Sequence, residues 1–160
     1  MRRRIGGLVL FVAGIGVGVL AAQQNRNAGL RLNHVGIYTK DFDASLRFYK
    51  QVVGLREAFT IKNNEGKIVF TYLHINRDTF LELTPATPDH PPGLGHIGIW
   101  PEDFDGTVAA LRQRGAKVED PRTGSSKARI TNMPDPDGVA VEFLDYPPGA
   151  LQRKAIDDWK

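Results

Sequence analysis

A chain of 160 residues is long enough to form one domain around an apolar core without covalent staples. It contains no cysteine, which excludes structural disulfides, thiolate metal sites, a cysteine nucleophile and a lipid-modified N-terminal cysteine. The net charge of +3 is carried entirely by Arg2, Arg3 and Arg4; the rest of the chain is balanced, so no basic stripe exists to neutralise phosphates and nucleic acid is not an expected partner.

Those arginines precede an uncharged run, Ile5 to Ala22, ending in Ala21-Ala22. A basic start, an apolar stretch and small residues at its end read as a cleavable signal peptide over 1–22, cut after Ala21 or Ala22, which makes the protein periplasmic or secreted. The competing reading is an uncleaved anchor in the inner membrane, since such a run just spans a bilayer; a buried helix fits less well because Gly14, Gly16 and Gly18 weaken it. The membrane is then touched only through this segment. Residues 23–31 are polar and read as a linker.

The domain is expected over 32–146. Its first strand runs from Leu32 to Thr39, and Asp41 or Asp43 caps a helix to about Gln51 that Gly54 ends. Strands follow at 57–61, 67–73 and 79–84, with turns at 63–66 and 76–78. Pro85 to Gly95 holds four prolines and reads as a stiff connector. A second copy follows: strand 96–100, a helix from about Asp105 to Arg114 closed by Gly115, strands at 117–119, 127–133 and 139–145, a loop at 121–126, and a tight turn at Asp135-Pro136-Asp137-Gly138. A tail from 147 to 160 carries Trp159.

The two halves are copies. His34-Val35-Gly36-Ile37-Tyr38 with Asp41-Phe42-Asp43 recurs 62 positions later as His96-Ile97-Gly98-Ile99-Trp100 with Asp103-Phe104-Asp105, and each half closes on a strand with a central glutamate, Glu82 or Glu142. The expected class is α+β, with two tandem βαβββ modules, 32–84 and 96–146, forming a curved mixed sheet. Strand alternation sorts the side chains. Val35, Ile37, Leu81, Leu83, Ile97, Ile99, Val141 and Phe143 form aliphatic faces that take the helices. The opposite face carries His34, Glu82, His96 and Glu142 and lines a cup. A mid-strand carboxylate is costly to bury alone, and no basic residue stands at a matching position. A divalent cation held by His34, Glu82, His96 and Glu142 compensates both charges, whereas four separately solvated residues leave the repeated spacing unexplained.

These motifs, together with Asn33-His34-Val35-Gly36-Ile37, Ser45-Leu46-Arg47-Phe48-Tyr49-Lys50 with Gly54-Leu55, Gly95-His96-Ile97-Gly98-Ile99 and Asp135-Pro136-Asp137-Gly138 leading to Val141-Glu142, resemble the vicinal oxygen chelate superfamily. That superfamily includes lactoylglutathione lyase, methylmalonyl-CoA epimerase, extradiol dioxygenases, fosfomycin-modifying enzymes and bleomycin-binding proteins. The resemblance covers about residues 31 to 146, and the ligand set is most similar to the lyase. It implies a metal-dependent lyase or isomerase acting on a small molecule, in which the metal stabilises enediolate oxygens while Glu142, leaving the metal, moves the proton next to a carbonyl. Zinc, nickel, cobalt, manganese and iron all suit such a shell. The same resemblance implies a homodimer, with modules often exchanged between subunits. It supports a glutathione hemithioacetal as substrate less strongly and leaves the substrate open: where the lyases place an arginine and an asparagine for the tripeptide, this chain has Tyr38 and Ala86. The alternatives are an iron-dependent extradiol-type dioxygenase, marked by oxygen consumption, and a non-catalytic binding protein of the same fold. His74 and His90 read as packing or surface residues, and Lys127 and Arg129 as a solvated strand face.

Overall fold

A computed structural model describes residues 29–160. The 1–22 segment and most of the 23–31 linker lie outside the described residues. Eight strands form one sheet: β1 (Leu30–Thr39), β2 (Arg56–Lys62), β3 (Ile68–His74), β4 (Phe80–Pro85), β5 (Gly93–Pro101), β6 (Arg122–Thr123), β7 (Arg129–Pro134) and β8 (Ala140–Asp145). Helix α1 (Phe42–Arg47) follows β1 and continues through one wide π-helical turn over Phe48–Val52; α2 (Phe104–Gln113) follows β5, and α3 (Leu151–Asp157) closes the chain.

Strand order is β2-β3-β4-β1-β5-β8-β7-β6. Each copy is therefore half of the sheet, with its first and last strands parallel, β1 on β4 and β5 on β8. The halves meet where β1 and β5 pair antiparallel. That pairing joins the modules within a single chain.

The helices begin where the acidic repeats place them. Asp41 accepts a hydrogen bond from the Ala44 amide and Asp103 from the Gly106 amide, both at 2.9 Å, so the capping residues are Asp41 and Asp103. The α1 segment packs Phe42, Leu46 and Tyr49 on Leu73, Leu81 and Leu83; α2 packs Phe104, Val108 and Leu111 on Phe143, Ile99 and Val141. The aliphatic faces take the helices, as alternation requires.

Four expectations need correction. The domain starts at Leu30 rather than Leu32, because β1 recruits two residues of the linker to pair with Pro101 and Trp100. No strand forms at 117–119: Val118 packs beneath α2 while the Glu119 amide makes a single bond to Asn132, and the sheet edge is instead the two-residue β6 inside the expected loop. The tail at 147–160 is not an appendage, since Ala155 and Ile156 of α3 join Tyr72, Phe80, Ile130, Leu144 and Tyr146 in the largest core cluster, on the concave side of the sheet. Arg129, expected on a solvated strand face, is half-buried on the helix-covered side, pairing with Asp105 and lying 4.3 Å over the ring of Phe104.

Candidate metal centre

The register of β1 and β5 explains why the sequence repeats His-x-Gly. His34 stands opposite Gly98, and Gly36 opposite His96, so each imidazole lies across the glycine of the other copy. A Cβ on Gly98 would sit 2.1 Å from the His34 ring, and one on Gly36 would sit 2.2 Å from the His96 ring. Only glycine leaves room. The parallel neighbours add the acids: Glu82 pairs with Gly36 across β4, and Glu142 with Gly98 across β8.

All four expected residues come together in one chain. The His34 and His96 Nε2 atoms are 2.7 Å apart; Glu82 Oε2 lies 3.7 Å from His34 and 3.6 Å from His96; Glu142 Oε2 lies 3.5 Å from His34. They are not equivalent. One donor atom each from His34, Glu82 and His96 lies within 4.8 Å of the others, whereas Glu142 reaches this group through His34 alone.

Asn33 is a residue that alternation did not reveal. A bulge between Leu32 and His34 leaves Asn33 without a partner on β5 and turns it inward, where it is fully buried. Its Nδ2 donates to the Asp78 carbonyl at 3.1 Å, which fixes the amide so that Oδ1 accepts from His34 Nδ1 at 2.9 Å. The His34 proton is thereby placed on Nδ1, and the Nε2 lone pair faces Glu82, Glu142 and His96. That leaves His34 Nε2 as an acceptor toward His96 Nε2, 2.7 Å away. A matching bulge in β5 falls on Gly95, where Tyr38 covers the position, so His96 has no comparable anchor.

Electrostatics separate the pairs further. Burial drives His34 down to about 3, keeping it neutral. Burial also pushes Glu82 up, but the hydrogen bond and charge of His96, with a hydrogen bond from Tyr72, outweigh that and hold it at about 2. Burial lowers His96 too, yet the charges of Glu82 and Glu142 leave it above its usual value. Glu142 is raised to about 7, first by burial and then by the neighbouring charge of Glu82, which His96 and Arg122 only partly offset. A neutral imidazole stands behind an ionised carboxylate and a carboxylate poised near neutrality, and the two carboxylates share one pocket.

That pocket has a volume of about 180 Å³; Glu82, His96 and Glu142 form one wall, and Arg122, Ser126 and Gln152 stand among its other lining groups. A larger depression of about 540 Å³ lies beside α2, lined by Asp103, Thr107 and Arg114, among others, and holds none of the four donors. The chemistry follows the ionisable cluster rather than the volume. An ion with nitrogen and oxygen ligands at about 2.0–2.2 Å holds adjacent ligands roughly 3.0–3.5 Å apart, and the observed spacings of 2.7–3.7 Å fall within a few tenths of that range. The donor set fits a divalent metal.

Residues 31–143 match the family model of the Glyoxalase/Bleomycin resistance protein/Dioxygenase superfamily. The chain belongs to this superfamily. Among its relatives, the lactoylglutathione lyase of Haemophilus influenzae is 30% identical over 126 residues, covering 72% of this chain and 93% of the lyase. A probable lactoylglutathione lyase of Vibrio parahaemolyticus is 26% identical, covering 71% and 89%. Among solved structures, a Streptomyces coelicolor methylmalonyl-CoA epimerase variant in complex with 2-nitronate-propionyl-CoA is 27% identical with a TM-score of 0.64, covering 77% of this chain and 99% of that one. The superfamily fold matches the two-module sheet, and the match to its model stops before α3 begins.

Of the secondary candidates, His74 is a packing residue, its ring 4.8 Å from Phe80 and 4.7 Å from Trp159. His90 stacks on Tyr38 at 4.9 Å. Lys127 occupies the turn between β6 and β7 at φ 62°.

Proposed function

We propose that this chain is a divalent-metal-dependent lyase or isomerase of the glyoxalase type that removes a proton next to a substrate carbonyl. The observation that carries this reading is the division of labour among four converging side chains. His34, Glu82 and His96 would hold the ion, with Glu142 as the fourth and most readily released ligand. When bound, a divalent ion supplies Lewis acidity toward adjacent substrate oxygens, which lowers the pKa of the neighbouring C–H.

The protein's own residues then do the rest. Asn33 holds His34 in one tautomer and one ring orientation. Glu82 remains ionised across the neutral range. Glu142 stands outside the tight group of three and titrates near neutrality, which suits a carboxylate that accepts and returns a proton. Lyase and epimerase chemistry share that step, so relatives of both kinds are consistent with the reading.

The test is elemental analysis of the purified protein, followed by deuterium incorporation from D2O into candidate carbonyl substrates, including aldehyde–thiol adducts. Glu142→Gln should lower exchange by about 10²–10⁴-fold while zinc affinity changes less than tenfold; Glu82→Gln should abolish tight metal binding. Full exchange activity in the Glu142 variant would remove the base assignment. We further propose a homodimer whose contacts lie outside the four-residue cluster, because that cluster closes within one chain; sizing at several concentrations tests it. Export through the 1–22 segment is part of the proposal, and N-terminal sequencing that finds an intact Met1 would overturn cleavage.

A further inference from the structure

The concave face of the sheet is not an open bowl. Helix α3 lies in it, tied to both modules. At one end the Leu151 amide donates to the Ser126 carbonyl and Gln152 Nε2 donates to Ser126 Oγ, both at 2.9 Å. At the other, the Trp159 ring packs against His74, and the Arg56 guanidinium lies 4.3 Å above that ring. Between these ties, Ala155 and Ile156 fill the space above Tyr72, Phe80 and Leu144. What remains beside the four donors is the pocket of about 180 Å³. At roughly 30 Å³ per water, that is about six waters.

Two features of the pocket wall call for particular chemistry. Arg122 is the only lysine or arginine lining it. It is exposed and has no ion-pair partner among the described residues. Gln152 is 2% exposed, one end of its amide is spent on Ser126, and the other end has no hydrogen-bond partner. A buried polar group without a partner costs about 1–3 kcal/mol, and it lines the same pocket as Arg122.

We infer that the substrate is a small carboxylate bearing adjacent oxygens, of the 2-hydroxy acid class. Arg122 pairs with its charge, the free Oε1 of Gln152 accepts a hydrogen bond from its hydroxyl, and α3 excludes larger adducts. This inference rests on the proposed metal reading and specifies its substrate. It places the selectivity in Arg122 and α3, neither of which is among the proposed ligands.

Calorimetry with two probes tests it: zinc titrated into metal-free protein, and then oxalate or 2-hydroxypropanoate titrated into the zinc-loaded protein. Arg122→Ala should leave zinc affinity unchanged and weaken oxalate binding about tenfold or more, in line with loss of a charge-assisted hydrogen bond. Gln152→Glu, which keeps the size of the side chain and places a negative charge in the pocket, should weaken oxalate further, with thermal melting confirming that α3 remains docked. S-lactoylglutathione should bind more weakly than 2-hydroxypropanoate. Failure of the wild type to bind zinc would overturn the metal reading and this inference together. Tight zinc binding with oxalate affinity indifferent to Arg122, or a preference for the glutathione ester, would overturn this inference alone.

Discussion

Replacing Gly98 with alanine tests the geometry at its tightest point. The added Cβ would stand 2.1 Å from both Cε1 and Nδ1 of His34, more than an ångström short of ordinary van der Waals contact, which begins near 3.4 Å. His34 cannot easily yield: its side chain is fully buried, Nδ1 is held by Asn33, and Tyr72 lies 5.2 Å away, centroid to centroid. Overpacking of this kind costs about 1–3 kcal/mol. Metal sites tolerate only about 0.2 Å of error in ligand position, so zinc affinity should fall at least 100-fold. Gly36→Ala makes the same collision with His96, whose side chain is 19% exposed and lacks an asparagine anchor, so that ring can swing outward. The paired expectation is comparable loss of zinc binding with a smaller loss of stability for Gly36→Ala than for Gly98→Ala. Zinc competition against a chelator and denaturant unfolding of the metal-free proteins give both numbers. A Gly98→Ala protein that binds zinc as the wild type does would refute the account of the His-x-Gly repeat.

Asn33→Ala should lower zinc affinity by about 10–100-fold, the usual effect of removing the hydrogen-bond partner of a metal-bound histidine, and destabilise the metal-free protein by about 1–3 kcal/mol because His34 Nδ1 loses its acceptor; chelator competition and unfolding midpoints check both. The pH dependence of metal-free stability follows from four shifts. The depressed values of His34 and Glu82 give stability that is lost as pH falls from about 6.5 toward 3 and from about 4.5 toward 2, whereas the raised value of Glu142 gives stability that is lost as pH rises from about 4.5 through 7, and the raised value of His96 extends that loss above about 6.5. Opposing slopes from His34 and Glu142 should leave this site's contribution nearly flat between about pH 4.5 and 6.5, with a fall of about 4 kcal/mol by pH 3 as two protons are taken up on unfolding; a monotonic fall from pH 7 downward in urea titrations would contradict it. Deleting Trp159 and Lys160 should loosen α3 and enlarge the pocket, read as faster amide exchange at Ala155 and Ile156.

The repeat and the alternation were legible because both are properties of the chain's own periodicity: two histidines, two glutamates and the aliphatic faces can be counted without knowing how the halves join. What could not be counted was the join. Asn33 looks like an outward-facing residue until the β1–β5 register inserts a bulge beside it, and a bulge is a compromise between two strands rather than a property of one. The glycines of the His-x-Gly repeats likewise acquire their reason only when each is set opposite the other copy's imidazole. Lys117-Val118-Glu119 alternates as a strand should, but Val118 is claimed by the core under α2, and packing overrode the local pattern. For α3 a signal was present: Leu151, Ala155 and Ile156 recur at helical spacing. Its destination was not legible, because the partner surface is assembled from β3, β4, β7 and β8.

Duplication supplies symmetric parts, yet the centre they build is asymmetric. Glu82 and Glu142 are equivalent positions of the two copies, but His96 lies 3.6 Å from Glu82, while Glu142 comes within ion-pair distance of His34 alone. His34 is the imidazole that burial keeps neutral, so it offers Glu142 no positive charge. His96, less deeply buried and free of an asparagine, is the one that carries charge, and Glu82 collects most of the benefit. One carboxylate is therefore held as a permanent anion and the other is left near neutrality, with the charge of the first helping to raise the second. The copies also differ beside the histidines, with asparagine before the first and glycine before the second, so that only His34 has its Nδ1 held by a side chain. Two carboxyl groups whose affinities for protons diverge suit the proposed proton transfer. Here the divergence is built by residues beside the ligands, which is why Asn33→Ala should disturb the pH profile of deuterium exchange as well as the affinity for the ion.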